Sequence, residues 1–240
     1  MKYAELDRCV WRVGFPPQPW EWSDWRWAGA DGRFNGRWDP LDHGLYRTIY
    51  AGESLLACLV ELLAPHRPDH YLLQDMENIA EDEDDRQDHP TVSPGELDLD
   101  QWLAHRVAAT AHLTGRFIDI TAAETVLALH PRFKARALAY NLQDFDVAAL
   151  KSAEQRLLTQ EVSQYLWTLR NPDGTDFCDG IQFRSRHGDD LLLWAIYERD
   201  TDTEISSHIS DIQLADLNST TPELLKAMAL LGLIGLDDRR

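Results

Sequence analysis

Glu61 is the residue whose surroundings in the sequence point most clearly to chemistry. It is the only acidic residue of a predicted helix, Ser54–Ala64, that is otherwise apolar on every side. A helix that is apolar all round is buried, and an unpaired buried carboxylate is costly. Glu61 therefore needs a cation, several hydrogen-bond donors or an opening to a site. A structural salt bridge to an arginine, or a position at the helix end that reaches solvent, is the simpler alternative.

A serine in a predicted strand is the second candidate. The segment Ile181–Arg186 has a period of two, which places Ser185 on the face of Ile181 and Phe183 and both flanking arginines on the other face. No Gly-x-Ser-x-Gly motif surrounds Ser185, so a hydrolase triad is not expected, and His187 cannot be assumed to be its base. A hydroxyl satisfied by the backbone is the simpler alternative.

Arg37 and Tyr50 complete the candidate set. Arg37 follows Gly36 just before a turn, where a guanidinium can bind a phosphate with two parallel hydrogen bonds. Tyr50 ends the predicted strand Leu45–Tyr50. An ordinary surface arginine is the alternative for Arg37, and Arg33 occurs in a similar setting four residues earlier.

Composition limits the classes of function. The 240 residues carry a net charge of −18, which disfavours direct binding of nucleic acid or of an anionic membrane, although a small phosphate ligand needs only two or three local cations. The apolar runs are far shorter than the ~20 residues of a membrane span. With no visible secretory signal and three scattered cysteines without CxxC spacing, the sequence favours a cytoplasmic protein without a metal site.

The remaining segments predict the elements that must position these residues. Five tryptophans among the first 27 residues, interrupted by prolines, predict an extended aromatic arm over the core, with a stacking surface for a sugar or base as the alternative. The acidic run Glu81–Asp88 is typical of a solvated loop. Periodicity and turn residues predict a strand at Phe117–Ile120, a helix at Val147–Leu169 and a turn at Asn171–Gly174. They also predict a buried strand at Leu191–Tyr197 and a final helix at Leu224–Leu236.

Several segments together resemble the RES-domain family, the toxin half of bacterial RES–Xre toxin–antitoxin pairs. The resemblance covers roughly residues 8–200. It is carried, in this order, by Gly36-Arg-Trp-Asp-Pro40, Tyr46-Arg-Thr-Ile-Tyr-Ala-Gly-Glu-Ser54, Ala57-Cys-Leu-Val-Glu-Leu-Leu-Ala64, Arg156-Leu-Leu-Thr-Gln160, Asp179-Gly-Ile-Gln-Phe-Arg-Ser-Arg-His-Gly-Asp189 and Leu193-Trp-Ala-Ile-Tyr-Glu198.

This resemblance implies an α+β fold, an ADP-ribosyltransferase-like mixed or antiparallel sheet with flanking helices. It also implies degradation of NAD+ as substrate, by hydrolysis or phosphorolysis, with no further cofactor, and an Xre-type antitoxin as partner. The family's functional arginine, tyrosine, glutamate and serine fall on Arg37, Tyr50, Glu61 and Ser185. Arg37 is preferred to Arg33 because of the Trp-Asp-Pro that follows it and the 13-residue step to Tyr50.

In the expected mechanism, Glu61 stabilises the positive charge that develops on the ribose as nicotinamide leaves. Arg37 grips the pyrophosphate, Tyr50 stacks on or hydrogen-bonds the nicotinamide riboside, and Ser185 orients the substrate. Two further residues, Arg12 and Gln160, are expected to assist NAD+ binding.

Two other functions and the domain division are also expectations. The same fold can transfer ADP-ribose to a protein, and a non-enzymatic acidic binding module would use the aromatic arm as its contact surface. Residues 1–200 are expected to form the catalytic domain, and residues 201–240 an appendage that packs on it. A homo-oligomer is left open.

Overall fold

The computed structural model describes residues 1–68 and 95–236, so the predicted acidic loop Glu81–Asp88 lies outside the described residues. The strands are β1 Tyr3–Gly14, β2 Thr48–Gly52, β3 Glu96–Leu97, β4 Val107–Asp119, β5 Gly180–Ser185, β6 Gly188–Tyr197, β7 Ile209–Ala215 and β8 Ile234–Gly235. The α-helices are α1 Leu55–Leu63, α2 Leu99–Ala104, α3 Ala123–Ala139, α4 Val147–Lys151, α5 Arg156–Thr168 and α6 Pro222–Leu231. Short 3₁₀ turns lie at Trp25–Trp27 and Ala64–His66.

A mixed six-stranded sheet forms the core, with strand order β1-β2-β6-β5-β4-β7. The strand β1 pairs antiparallel with β4 along its length and also with β2 at Trp11↔Gly52, so five of the strands close on themselves. The strands β5 and β7 share the remaining edge of β4, where β5 is parallel and β7 antiparallel. Helices flank this sheet, which confirms the predicted α+β class.

The sheet is covered by helices on one face and by aromatic residues on the other. The helical face packs α1 against β1 and α6, with Leu59 and Leu63 fully buried. On the opposite face Trp20 and Trp22 cover the strands at 0% and 6% exposure. This confirms the predicted aromatic arm, although only part of it is buried, since Trp27 is 72% exposed.

The predicted elements are found with shifted boundaries, and one is interrupted. The strand predicted at Leu45–Tyr50 begins later, at Thr48. The helix predicted over Val147–Leu169 is wrong as a single element, because α4 ends at Lys151 and α5 begins at Arg156. The connecting Ser152 takes an extended conformation that ends the first helix. The turn at Asn171 is confirmed by the hydrogen bond from Gly174 N to Asn171 O at 2.9 Å.

The residues after 200 contribute to both the sheet and the helical layer. The strand β7 pairs with β4 from Ala108 to Leu113, and α6 packs on α1. Helix α6 ends at Leu231, and the next residue, Gly232, has the left-handed conformation that glycine adopts at little cost. Within the described ranges, no helix is both long and apolar enough to cross a bilayer.

A partly buried ion pair joins the start of β7 to the start of β5. Asp179 accepts a hydrogen bond from Arg116 N at 2.7 Å and pairs with His208 Nε2 at 3.2 Å. Gly115 is required between them, because a Cβ there would lie 2.6 Å from Asp179 Oδ2 and its φ is +125°. The hydrogen bond to Asp179 raises the pKa of His208, and Asp202 acts in the same direction. Burial opposes ionisation of Asp179, but His208 and Arg116 outweigh it and lower the pKa of Asp179.

Replacing His208 by glutamine is expected to destabilise the protein in a pH-dependent way. The contribution of a histidine with a raised pKa is complete below its unfolded pKa and is lost as the pH rises through its folded pKa. We expect a loss of about 1 to 2 kcal/mol at about pH 5.5 and a smaller loss at about pH 9, measured by urea unfolding.

His112→Gln is the matched control, because His112 pairs with Asp7, whose side chain is 83% exposed. Its effect on unfolding should be small at both pH values. An equal loss for His208→Gln at both pH values would contradict a stabilising charge on His208.

Candidate functional site

A direct hydrogen bond joins Glu61 to Ser185, which lie 124 residues apart in the sequence. Ser54 begins α1 by accepting a hydrogen bond from Ala57 N, and this helix carries Glu61 two turns later. Ser185 ends β5 with 1% exposure, and its hydroxyl donates to Glu61 Oε1 at 2.5 Å. The Ser185 hydroxyl oxygen accepts from His187 N at 2.9 Å, so the hydroxyl hydrogen is directed to the carboxylate.

The simpler alternatives account for part of this arrangement, because Glu61 is only half-buried and lies two residues before the end of α1 at Leu63. Among residues 1–68 and 95–236, no basic side chain forms an ion pair with Glu61. The Ser185 hydroxyl does accept from the backbone, as the simpler alternative expected, yet its own hydrogen bonds a carboxylate. The burial of Ile181, Phe183 and Ser185 confirms the face predicted from the period of two.

Arg37 lies within the electrostatic reach of Glu61. Its Nη1 donates to Leu150 O at 2.9 Å, which uses one of the five N–H donors of a guanidinium. Burial lowers the pKa of Arg37, Glu61 and Tyr50 raise it, and the neighbouring Arg186 and Arg156 lower it. The Arg37 side chain is therefore a partly buried cation within reach of the Glu61 carboxylate.

Tyr50 lies under the loop that carries Arg37. Its hydroxyl accepts from Trp38 N at 2.8 Å and donates to Asp39 Oδ1 at 3.3 Å. Burial and then Asp39 raise the pKa of Tyr50 well above its ordinary value, so the phenol stays protonated. The hydroxyl is thus engaged with the loop, and contact of Tyr50 with a nicotinamide riboside stays a prediction.

Arg33, the alternative to Arg37, points to another partner. Its Nη2 donates to Gln160 Oε1 at 2.6 Å. Gln160 is fully buried, and its amide nitrogen donates to Gly36 O at 3.0 Å. Arg33 and Gln160 therefore brace the backbone next to Arg37, while the charge of Glu61 acts on Arg37 itself. Substrate binding by Gln160 stays a prediction.

Arg12 has a similar bracing position behind β2. Its Nη1 donates to Tyr50 O at 2.7 Å, and its Nε donates to Pro19 O in the aromatic arm. Burial lowers the pKa of Arg12 to about 10, with Cys58 and Tyr50 opposing. These contacts hold the strand that carries Tyr50, and a direct role of Arg12 in NAD+ binding stays a prediction.

His187 and three arginines near it were not placed at the site by the sequence analysis, apart from Arg37. Burial lowers the pKa of His187, Glu61 raises it, and three arginines lower it: Arg186, Arg67 and Arg37. Arg186 was expected on the opposite face of β5, but the register shifts after Arg184 and the chain turns, so its Nε donates to His187 Nε2 at 3.3 Å. Arg67 follows the 3₁₀ turn after α1, which no pattern in the sequence indicates.

A cavity of about 300 Å³ lies elsewhere in the molecule. Its lining includes Lys2, Asp119, Gln182, Phe183 and Arg184 and none of the four candidate residues. Gln182 and Arg184 alternate along β5 with the residues on the Ser185 face, so the two side chains point to the other side of the sheet. The candidate site is therefore defined by the meeting of its chemical groups and not by this cavity.

Comparisons with known proteins give one family. The chain matches the model of the RES domain over residues 10–215. No curated protein matches. A similar solved structure is described as "Crystal structure of the M.tuberculosis MbcT-MbcA toxin-antitoxin complex", with 13% identity, 96% of this chain and 92% of that chain covered, and a TM-score of 0.48. Because that likeness is too weak to carry an argument, the assignment rests on the family model, whose match includes Arg37, Tyr50, Glu61 and Ser185. The chain belongs to the RES-domain family.

Proposed function

We propose that this protein cleaves the nicotinamide–ribose bond of NAD+ and is the toxin of a bacterial toxin–antitoxin pair. The observation that carries the proposal is the hydrogen bond between Glu61 and Ser185, with Arg37 within the electrostatic reach of Glu61. Family membership supports it, because the sequence resemblance implied both NAD+ degradation and an Xre-type antitoxin as partner.

The cations supply what a dinucleotide requires. The chain has a net charge of −18, yet Arg37, Arg67 and Arg186 all act on His187, a residue that the charge of Glu61 also reaches. Guanidinium groups bind the oxygens of a pyrophosphate with charge-assisted hydrogen bonds. Such a local excess of positive charge is suited to the phosphates of NAD+. A surface whose charge served only solubility would not require it.

Glu61 supplies the stabilisation that the bond cleavage requires. As nicotinamide leaves, the ribose gains positive charge and the cationic pyridinium becomes neutral, so a strong general acid is not needed. A fixed carboxylate beside the sugar stabilises the developing charge. Ser185 holds one carboxylate oxygen in place, which orients Glu61 toward the ribose. The acceptor that completes the reaction is water or phosphate.

Replacing Glu61 by glutamine is expected to preserve the fold and to reduce the rate of NAD+ loss by about 10²-fold or more, the scale of losing one electrostatic stabiliser. Glutamine retains an oxygen that can accept the hydrogen bond from Ser185 but lacks the negative charge. The measurement is NAD+ consumption by purified protein, with product analysis to separate ADP-ribose from its phosphorylated form.

Glu53→Gln is the matched control, because Glu53 precedes the same helix and forms an exposed pair with Arg8. Its turnover should equal that of the unaltered protein. Normal turnover in a folded Glu61→Gln variant would refute the proposed role. Label from NAD+ that appears on a protein in lysate would instead favour transfer of ADP-ribose, and no NAD+ loss at any protein concentration would favour a binding module.

Replacing Arg37 by alanine is expected mainly to raise the KM for NAD+, by about 10- to 100-fold, since one or two charged hydrogen bonds to phosphate are lost. Arg33→Ala should have a smaller effect, because Arg33 acts through Gln160. Arg26→Ala, at a 73% exposed side chain, is the control and should leave KM unchanged. If Arg33→Ala raises KM more than Arg37→Ala does, Arg33 is the phosphate-binding residue.

A further inference from the structure

Asp39 is a buried carboxylate to which the sequence analysis gave no role. It is 4% exposed and belongs to the Asp39-Pro40 step that follows Arg37 and Trp38. Its Oδ2 accepts from Gly36 N at 2.5 Å, and its Oδ1 accepts from the Tyr50 hydroxyl at 3.3 Å. The carboxylate thus connects the residue before Arg37 to the ring of Tyr50.

The loop is wrapped tightly around this carboxylate. A Cβ added at Gly36 would lie 2.5 Å from both Asp39 Oδ2 and the Tyr50 hydroxyl oxygen, so only glycine fits. The Tyr50 oxygen also accepts from Trp38 N at 2.8 Å, and Gln160 Nε2 donates to Gly36 O at 3.0 Å. The backbone on both sides of Arg37 is therefore fixed by Asp39 and its partners.

We infer that Asp39 is a positioning residue, which sets the place of the Arg37 guanidinium and through it the affinity for the pyrophosphate of NAD+. The inference rests on the proposed function. Asp39 acts by accepting hydrogen bonds. One of its oxygens accepts from Gly36 N, next to Arg37, and the other accepts from the Tyr50 hydroxyl beneath the loop.

The negative charge of Asp39 is not what the loop needs. Burial raises the pKa of Asp39, and the hydrogen bonds from Gly36, Thr48 and Tyr50 offset this only in part, with a further opposing effect from Arg156. An acid whose pKa is raised by folding destabilises the protein at pH values above that pKa. A neutral side chain that keeps an acceptor for Gly36 N should therefore still hold the residue before Arg37 in place.

Three variants separate these effects. Asp39→Ala removes both acceptors, and we expect the KM for NAD+ to rise by about tenfold with a smaller change in kcat. Asp39→Asn retains an oxygen for Gly36 N but presents an NH2 group to the Tyr50 hydroxyl, so KM should return part of the way from the Asp39→Ala value to the original value. Gly36→Ala forces the loop away from Asp39 and should raise KM without altering the carboxylate. Asp42→Asn, at an exposed aspartate further along the chain, is the control.

A double variant shows whether Asp39 acts through Arg37. In the Arg37→Ala background, Asp39→Ala should raise KM no further, because there is no guanidinium left to position. The same tenfold rise in both backgrounds would overturn the inference, since it would indicate a general structural effect. An unchanged KM in a folded Asp39→Ala variant, with the unaltered protein degrading NAD+ normally, would overturn it while leaving the proposed function intact.

Amide hydrogen exchange tests the positioning without substrate. Asp39→Ala should accelerate exchange at Gly36 and Trp38, whose N–H groups donate to Asp39 and Tyr50, while Asp39→Asn should preserve slow exchange at Gly36. Unchanged exchange at Gly36 would overturn the inference whatever happens to NAD+. An unaltered protein that shows the expected exchange but consumes no NAD+ would refute the proposed function alone.

Discussion

The hydrogen bond between Ser185 and Glu61 is the contact on which the candidate site depends. A carboxylate on an apolar helix has to be offset by donors or cations, because its desolvation is otherwise too costly. Ser185 provides a donor from the far end of β5, and the surrounding arginines provide positive charge. Glu61 is half-buried, so part of its carboxylate stays open to solvent while Ser185 fixes one oxygen, and this contact brings the end of α1 to the end of β5.

The closed sheet brings these groups together from distant parts of the sequence. The strand β6 pairs with β2 on one side and with β5 on the other, which places Tyr50 and Ser185 on neighbouring parts of one surface. Phe183 contacts the Tyr50 ring edge-on, at 6.5 Å between centroids, and the Trp38 ring at 5.7 Å. The loop with Arg37 rests on this aromatic layer, so the position of the guanidinium follows from the packing of the sheet.

The sequence predicted the parts of this arrangement that local patterns determine. The Ser54 cap of α1 and the buried face of β5 follow from capping and from the period of two. The helix α3 was not predicted, because Pro131 lies inside it and Leu127 is 71% exposed, which blurs its amphipathic pattern. The cations around Glu61 could not be predicted either, since Arg186 depends on the register shift at the end of β5. Tertiary contacts, and not local spacing, determine which arginines reach the carboxylate.

The contrast between the net charge of the chain and the charge around Glu61 also bears on selectivity. An acidic protein repels polyanions at long range, and the repulsion grows with the charge of the approaching molecule. NAD+ carries two phosphates whose charge is partly offset by its pyridinium, so the acidic surface opposes its approach far less than that of a nucleic acid. In the proposed complex, the arginines near Glu61 would replace water around the phosphates at short range. Such a site would favour a small, weakly anionic dinucleotide over RNA or DNA, because the two charge distributions act at different distances.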